Sequence, residues 1–317
     1  MCLSSLVVQQ GIAREIIVVD DHSMDGTRAI AASFPQVKVI DAGPLPQSWT
    51  GKANAVTCGA REARGAWLLF TDADTVHKPG SLARAMLEAR DRGVDLLSYS
   101  PEQEVHGFLE RSVMPVIFAE LATRYKPKEV SDPNSDAAAA NGQYILISRA
   151  AYDAVGGHAA VASSLLEDVE LARTVKRSGR KIFFRLAADQ VRTRMYRSTT
   201  QLIEGWTKNL ASLFPNPIRL AILRQAEFAV IWASGALGVL YLSWGQFSTG
   251  GWLLVVCAFA KLFFWRRILR AHFSWGSNVL AIFGLPSFAY LLLRSVIQYK
   301  SGRVAWKGRN YSGTTAS

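Results

Sequence analysis

The sequence has little cysteine and little histidine, three and five residues in 317. Cys2, Cys58 and Cys257 stand far apart, and Cys257 lies inside an apolar run. This spacing excludes a disulfide framework and an ordinary zinc site, and it suits a reducing, cytoplasm-facing catalytic portion. Charge is absent from two long stretches, Phe228 to Ala260 and Phe273 to Leu293. Acidic residues are outnumbered 25 to 36, which leaves a formal net charge of +11. That excess suits an anionic partner: nucleic acid, a phosphorylated substrate or an anionic membrane face. No nucleic-acid motif occurs, and the basic residues gather around the uncharged stretches, so nucleic acid is set aside. The opening MCLSSLVVQQGIAREIIVVDD lacks the basic start and cleavage site of a signal peptide and reads as a short helix running into a strand.

Half of the residues are hydrophobic and the mean hydropathy is +0.12, too apolar for a simple soluble domain of this length. The two uncharged stretches explain the excess. The first, broken by a turn at 245–251, predicts two spans near the ~20 residues a bilayer requires, and the second predicts a third span interrupted by Pro286. Arg266, Arg267 and Arg270 lie between the second and third spans, and the tail RSVIQYKSGRVAWKGRN is basic again. Simple alternation then places the tail on the side opposite those arginines, against the positive-inside bias, unless one segment is re-entrant or interfacial. The resulting division is a catalytic domain over 1–215, an interfacial linker over 216–227, a transmembrane region over 228–294 and a basic tail over 295–317.

The first two-thirds alternates strand and helix signals. EIIVVDD, VKVIDA, AWLLFTDAD and VDLLSYS are short, apolar and rich in β-branched or aromatic residues, as buried strands are. Between them TRAIAASF, GKANAVTCGAREARG and PGSLARAMLEARDRG carry helical patterns, the last entered at Pro79 and left at Gly93. The rhythm predicts an α/β fold: a mostly parallel sheet with helices on both faces, followed by C-terminal transmembrane helices. Ligands of such sheets bind beyond the carboxyl ends of strands, where Asp20, Asp21, Asp72 and Asp74 fall.

Asp72 and Asp74 are separated by one alanine. In an extended strand they point to the same side roughly 7 Å apart. Two carboxylates at that distance repel by about 2 kcal/mol at an effective dielectric of 20, a cost that a cation would turn into a gain. A third acidic site, Glu167-Asp168, opens the helical segment EDVELARTVKRSG, where carboxylates meet the positive end of the helix dipole. Taken singly, each pair is also what a strand end or a helix first turn carries.

VVDDHSMDGT, TDAD, NGQYILISRAAYDAVGGH and LLEDVELA, in this order, resemble the successive motifs of family 2 glycosyltransferases with the A-type nucleotide-sugar-binding fold, over roughly residues 5–215. SWTGKANA, RTRMYRS with EGWTKN, the C-terminal spans and RVAWKGR resemble the membrane-bound branch, which includes hopene-associated, carotenoid and ceramide-type enzymes. The resemblance implies a UDP-sugar or similar donor whose base is contacted by Asp20 or Asp21. It implies Mg²⁺ or Mn²⁺ held by Asp74 with Asp72, and Lys52 paired with donor phosphates. Asp168 would be the general base of a single inverting displacement, oriented by Glu167. Gly156 and Gly157 would make a backbone turn near the acceptor. RTRMYRS stands where many relatives carry Q-x-x-R-W; by that placement Arg194 or Arg197 would touch the diphosphate and Trp206 would lie near the acceptor. A basic interfacial helix is the alternative for this segment. Because the motif departs from the pattern, single transfer to a lipid or isoprenoid hydroxyl or carboxyl fits better than polymer synthesis. A polysaccharide synthase, or a non-catalytic membrane protein that keeps the fold, are the other readings. Relatives open with a strand and loop like VSVVIPARNE, and on that comparison the chain lacks its first strand and part of the nucleotide pocket. The expected location is the inner cell membrane, with the catalytic domain cytoplasmic.

Overall fold

The computed structural model describes residues 1–302 together with the backbone of 305–306 and 309–310. The RVAWKGR motif lies largely outside the described residues, as does most of the basic tail. The chain forms two compact units: Met1–Glu104 with Tyr125–Met195, and Val105–Arg124 with Tyr196–Ser317.

The first unit holds nine strands: β1 (Ile16–Asp20), β2 (Val37–Asp41), β3 (Trp67–Thr71), β4 (Thr75–His77), β5 (Leu96–Ser100), β6 (Glu102–Gln103), β7 (Tyr144–Ser148), β8 (Ile182–Leu186) and β9 (Val191–Thr193). β1 and β2 pair in parallel, from Ile16 opposite Val37 to Asp20 opposite Asp41. A four-stranded sheet has the order β3-β7-β5-β8. β8 runs parallel to β5, and β7 runs antiparallel to both β3 and β5, so β7 alone is reversed. The strand–helix rhythm does not predict β7, because it follows a loop rather than a crossover helix, and only parallel neighbours need a crossover. A small sheet, β4-β9-β6, lies beyond the end of β3.

Alternation along these strands builds two cores. Leu68, Leu96, Ile145, Ile147 and Ile182 face Leu171 and Val175 of helix Glu167–Arg177. Their neighbours Leu97, Tyr99, Tyr144 and Leu146 face Ala85 and Ala89 of helix Ser81–Asp91. Both faces of the sheet are therefore covered, and each fully buried Leu or Ile contributes roughly 1.5–3 kcal/mol. Helix Gly51–Glu62 is fixed at both ends. The Thr50 hydroxyl accepts from the Ala53 amide at 3.2 Å, and Arg149 donates to the carbonyls of Ala60, Ala63 and Gly65.

The second unit is helical over its described residues up to Lys300. It contains Gly107–Arg124, Thr199–Leu213 and three helices long and apolar enough to cross a membrane: Pro217–Ser243, Phe247–Ala271 and Trp275–Lys300. Gly107–Arg124 therefore packs with the apolar helices although it falls inside the α/β part of the sequence. Its apolar residues ring the whole helix from Val113 to Ala119, the pattern of a helix buried on all sides. Glu120, Arg224, Glu227 and Arg267 form a buried ion network: Arg224 Nε–Glu120 Oε1 is 2.8 Å, Arg267 Nε–Glu120 Oε1 3.0 Å, and Arg267 Nη2–Glu227 Oε2 2.6 Å. Two arginines and two glutamates leave it electrically neutral.

Candidate functional site

β3 ends at Thr71, so the spacing argument for Asp72 and Asp74 in an extended strand does not hold. The two acids sit on the turn between β3 and β4. Thr75 closes that turn, its amide and hydroxyl both donating to the Asp72 carbonyl, at 3.3 and 2.8 Å. Thr193, at the end of β9, bonds the Asp74 carbonyl at 3.3 Å. Burial, and then the charge of Asp72, push the Asp74 carboxyl up to about 6. A carboxyl in that state calls for a cation beside it.

The nearest cation to Asp72 is Lys52, in the first turn of helix Gly51–Glu62. Its ammonium lies 3.1 Å from Asp72 Oδ1 and 3.1 Å from Glu167 Oε1. Burial opposes its charge, but Asp72, Glu167 and Asp168 more than reverse that and hold it well above the ordinary lysine range. Glu167 and Asp168 open helix Glu167–Arg177, as the sequence predicts. Asp168 accepts from its own helix at the Val169 amide, 2.8 Å, and from the Gly142 amide, 2.7 Å. Burial, and then Glu167, raise its carboxyl to about 6.

Gly142 is a member of this cluster that residue types alone do not reveal. A Cβ there would come 2.7 Å from Lys52 Nζ and 3.3 Å from Asp168 Oδ2. The Asn141-Gly142 pair, a turn dipeptide ahead of the YILIS strand, is the only signal of it in the sequence.

Asp20 and Asp21 form a separate group at the end of β1. Asp20 is buried, accepts from the Ser23 amide at 3.3 Å and lies 3.7 Å from Arg28, while Asp21 lies 3.5 Å from His22. Gly156 and Gly157 both adopt positive φ, 74° and 55°, the region glycine enters without strain. A Cβ on Gly157 would stand 2.4 Å from the Tyr152 ring. The Tyr152 hydroxyl accepts from the His158 amide at 3.1 Å, and His158 is buried with its pKa lowered to about 4 by that burial, so it is neutral at pH 7. Arg194 follows β9, and its Nε is buried without a hydrogen-bond partner. Arg197 and Trp206 belong to the second unit. The Arg197 amide donates to Gln201, and Trp206 is 3% exposed, its indole N–H on Met114 Sδ at 3.2 Å and its ring near Phe118 and Tyr196.

Lys52, Asp72, Glu167, Asp168 and Gly142 are thus brought into one polar cluster at the carboxyl end of β3 and the start of two helices. Among the described residues no group of three or more His, Cys, Asp or Glu side chains gathers to hold a metal. Asp72 and Asp74 are two carboxylates, and Mg²⁺ is held by one or two carboxylates together with substrate phosphates, so the donor set fits a metal that arrives with a phosphorylated ligand.

The first unit is thus a mixed sheet with helices on both faces, with acids and a lysine beyond the end of β3. Residues 1–156 match the family model for glycosyl transferase family 2. The chain is 25% identical over 327 residues to 4,4'-diaponeurosporenoate glycosyltransferase of Staphylococcus aureus strain MRSA252, covering 96% of this chain and 83% of that protein. The same enzyme of strain USA300 is 24% identical over 325 residues, again 96% and 83%. Among solved structures, S. aureus TarS 1-349 in complex with UDP is 15% identical with a TM-score of 0.42, over 95% of this chain and 87% of that one. Glucosyl-3-phosphoglycerate synthase from Mycobacterium tuberculosis is 17% identical with a TM-score of 0.38, over 63% and 67%. The protein is a glycosyltransferase, with a family 2 match over residues 1–156 and similarity to a carotenoid glycosyltransferase.

Proposed function

We propose that the protein transfers a sugar from a nucleotide diphosphate donor, a UDP-sugar, to the hydroxyl or carboxyl of a lipid or isoprenoid acceptor at the cytoplasmic face of the inner membrane. The observation that carries this reading is the position of Lys52 between Asp72 and Glu167, with Asp168 alongside. The cluster offers one cation for a diphosphate and one carboxyl, with a pKa near neutral, for a proton.

In the step proposed, the acceptor oxygen gives its proton to Asp168 and forms a bond to the anomeric carbon. The bond from that carbon to the diphosphate oxygen breaks, and the nucleotide leaves with the electron pair. One displacement inverts the carbon. Gly142 and the helix amide at Val169 hold the Asp168 carboxylate in place through the transfer. Lys52 binds the diphosphate, and Glu167 orients Lys52. Asp20 or Asp21 would contact the nucleotide base, and Arg194 or Arg197 would be the further cation for the diphosphate. Asp72 and Asp74 would hold Mg²⁺ or Mn²⁺, which when bound neutralises charge on the leaving diphosphate.

The acceptor assignment draws support from the three apolar helices and from a relative named for transfer to diaponeurosporenoate. The test is binding of UDP-sugars and GDP-sugars to the detergent-solubilised chain with and without Mn²⁺, followed by transfer to polyprenols, diacylglycerol and polyene acids. Metal-dependent donor binding and sugar on an apolar acceptor are expected. Absence of donor binding with and without metal would overturn the reading.

A further inference from the structure

The polar cluster of the first unit has two halves. Asp72 and Asp74 stand on the turn that joins β3 to β4, and Asp168 opens helix Glu167–Arg177. Lys52 reaches between them, but a lysine is a flexible link on a four-carbon stem. A second connection is built from hydroxyls and amides and is almost wholly buried. Thr75, His77, Gln143 and Thr193 are each no more than 6% exposed, so water does not replace a partner that is lost.

Three threonines anchor this connection. The Thr75 hydroxyl donates to the Asp72 carbonyl at 2.8 Å, and the Thr193 hydroxyl donates to the Asp74 carbonyl at 3.3 Å. The Thr71 hydroxyl donates to the Gln143 carbonyl at 2.9 Å. A hydroxyl has one hydrogen, so all three are committed to main-chain carbonyls and each oxygen is left to accept. Thr193 accepts from the Gln143 side-chain amide at 3.2 Å. The Thr71 and Thr75 oxygens lie 2.9 Å apart, and His77 Nε2 is within reach of both, at 3.2 and 3.3 Å. The network therefore assigns the His77 proton to Nε2 and leaves Nδ1 bare, and Nδ1 is buried without a hydrogen-bond partner among the described residues. Burial lowers the pKa of this ring to about 4, so it donates as a neutral imidazole.

Gln143 is where this connection meets the other half of the cluster. Its side chain holds Thr193 and, through it, the Asp74 carbonyl, and its own carbonyl is held by Thr71. Its amide donates to Asn141 Oδ1 at 3.0 Å, which closes the turn that carries Gly142. The Gly142 amide then donates to Asp168 Oδ2 at 2.7 Å. The turn is fixed from β5 as well: the Asn141 amide donates to the Ser98 hydroxyl at 2.8 Å, and that hydroxyl donates to the Tyr144 carbonyl at 2.9 Å. An apolar side chain of the same length would fill the space that Gln143 fills, and a buried amide is costly unless it is bonded. What the amide adds is a directed bond to Thr193. We infer that Gln143 is a positioning residue of the transfer, tying the Asp72–Asp74 turn to the Gly142 amide so that the acids on the donor side and the base Asp168 keep one spacing. Its kinetic consequence rests on the transfer reading, whereas the tie between the two turns stands without it.

Three variants of the full chain test this. Gln143→Met keeps length and volume and removes the amide, Thr193→Val removes the hydroxyl at equal size, and Thr193→Ser keeps the hydroxyl. In transfer from a UDP-sugar, kcat should fall about tenfold in the first two and stay within about threefold of wild type in Thr193→Ser, since a misplacement of 1 Å costs roughly 100-fold. Both losses cut one connection, so the double variant Gln143→Met with Thr193→Val should be little slower than either alone. Losses that multiply, or a Thr193→Ser enzyme as slow as Thr193→Val, would overturn the inference. Amide hydrogen exchange of the detergent-solubilised chain gives a readout apart from turnover. Gln143→Met should speed exchange in residues 72–76 as well as 141–144, with helix Ser81–Asp91 unchanged. Faster exchange confined to 141–144 refutes the tie, and an equal rise in all three segments assigns Gln143 to stability alone and refutes it too. A wild-type chain that binds no UDP-sugar defeats the transfer reading, while the exchange pattern still decides whether the two turns are tied.

Discussion

The Gly142 amide and Asp168 Oδ2 lie 2.7 Å apart, joining the turn before β7 to the first turn of helix Glu167–Arg177 across 26 residues of chain. The same glycine leaves room for the Lys52 ammonium, which a Cβ would approach to 2.7 Å. Gly142→Ala displaces only the far end of a flexible lysine and a carboxylate, so the melting temperature should change by a few degrees at most. Transfer should fall at least tenfold, since geometry errors of about 1 Å cost on the order of 100-fold. A kinetic assay beside a thermal melt separates the two, and equal loss of both would assign Gly142 to stability alone.

Asp168→Asn keeps the shape of the side chain and removes its basicity. General-base catalysis contributes on the order of 10²–10⁴-fold, and transfer should fall by that much. Donor affinity, read by calorimetry, should stay within about threefold. A parallel loss of donor binding would mean that Asp168 acts as a ligand and not as a base.

A base must be ionised to accept a proton. Because burial and Glu167 raise the Asp168 carboxyl to about 6, the rate should be full above that value and fall about tenfold per unit of pH below it. The sign follows from the direction of the shift: an unperturbed carboxylate, near 3.9, would keep the enzyme active down to about pH 4. A pH–rate profile of kcat/KM checks this, and in Asp168→Asn the acid limb should become shallower, since Asp74, also raised to about 6, still titrates there.

Glu120 bridges Arg224 and Arg267, at 2.8 and 3.0 Å, and is 6% exposed. Glu120→Ala leaves two guanidinium groups sharing Glu227 alone. Removing one partner of a buried ion pair costs roughly 3–5 kcal/mol, so the detergent-solubilised protein should melt at a markedly lower temperature. Replacing Glu120, Arg224, Glu227 and Arg267 together by apolar residues should recover much of that loss.

The ends of strands were legible because two features coincide there. IIVVD and WLLFT are apolar runs of strand length, and acids follow each at once, so the carboxyl ends of β1 and β3 announce themselves. Glu167-Asp168 was legible as a helix start, acids being favoured in the first turn. Asp72 and Asp74 were read on an extended strand because the apolar pattern stops at Phe70 but nothing before Thr75 marks a turn; the turn is closed by a threonine side chain, which periodicity does not register. The reversal of β7 depends on which strand it joins, a non-local choice. Gly107–Arg124 carries no sequence sign of where it docks, since a helix buried all round has no single apolar face.

Pro217–Ser243 and Phe247–Ala271 of the second unit pack along one another as a hairpin, which has a length as well as a direction. Between Glu227 and Trp244 the first of its helices offers Phe228 to Ser243 as uncharged wall, about 24 Å at 1.5 Å per residue. A bilayer interior is about 30 Å thick. If the hairpin crosses a membrane, that mismatch would fall on the lipid, which would thin around it at a modest cost for each ångström. A crossing hairpin of this length would favour thin, fluid membrane over thick, ordered patches.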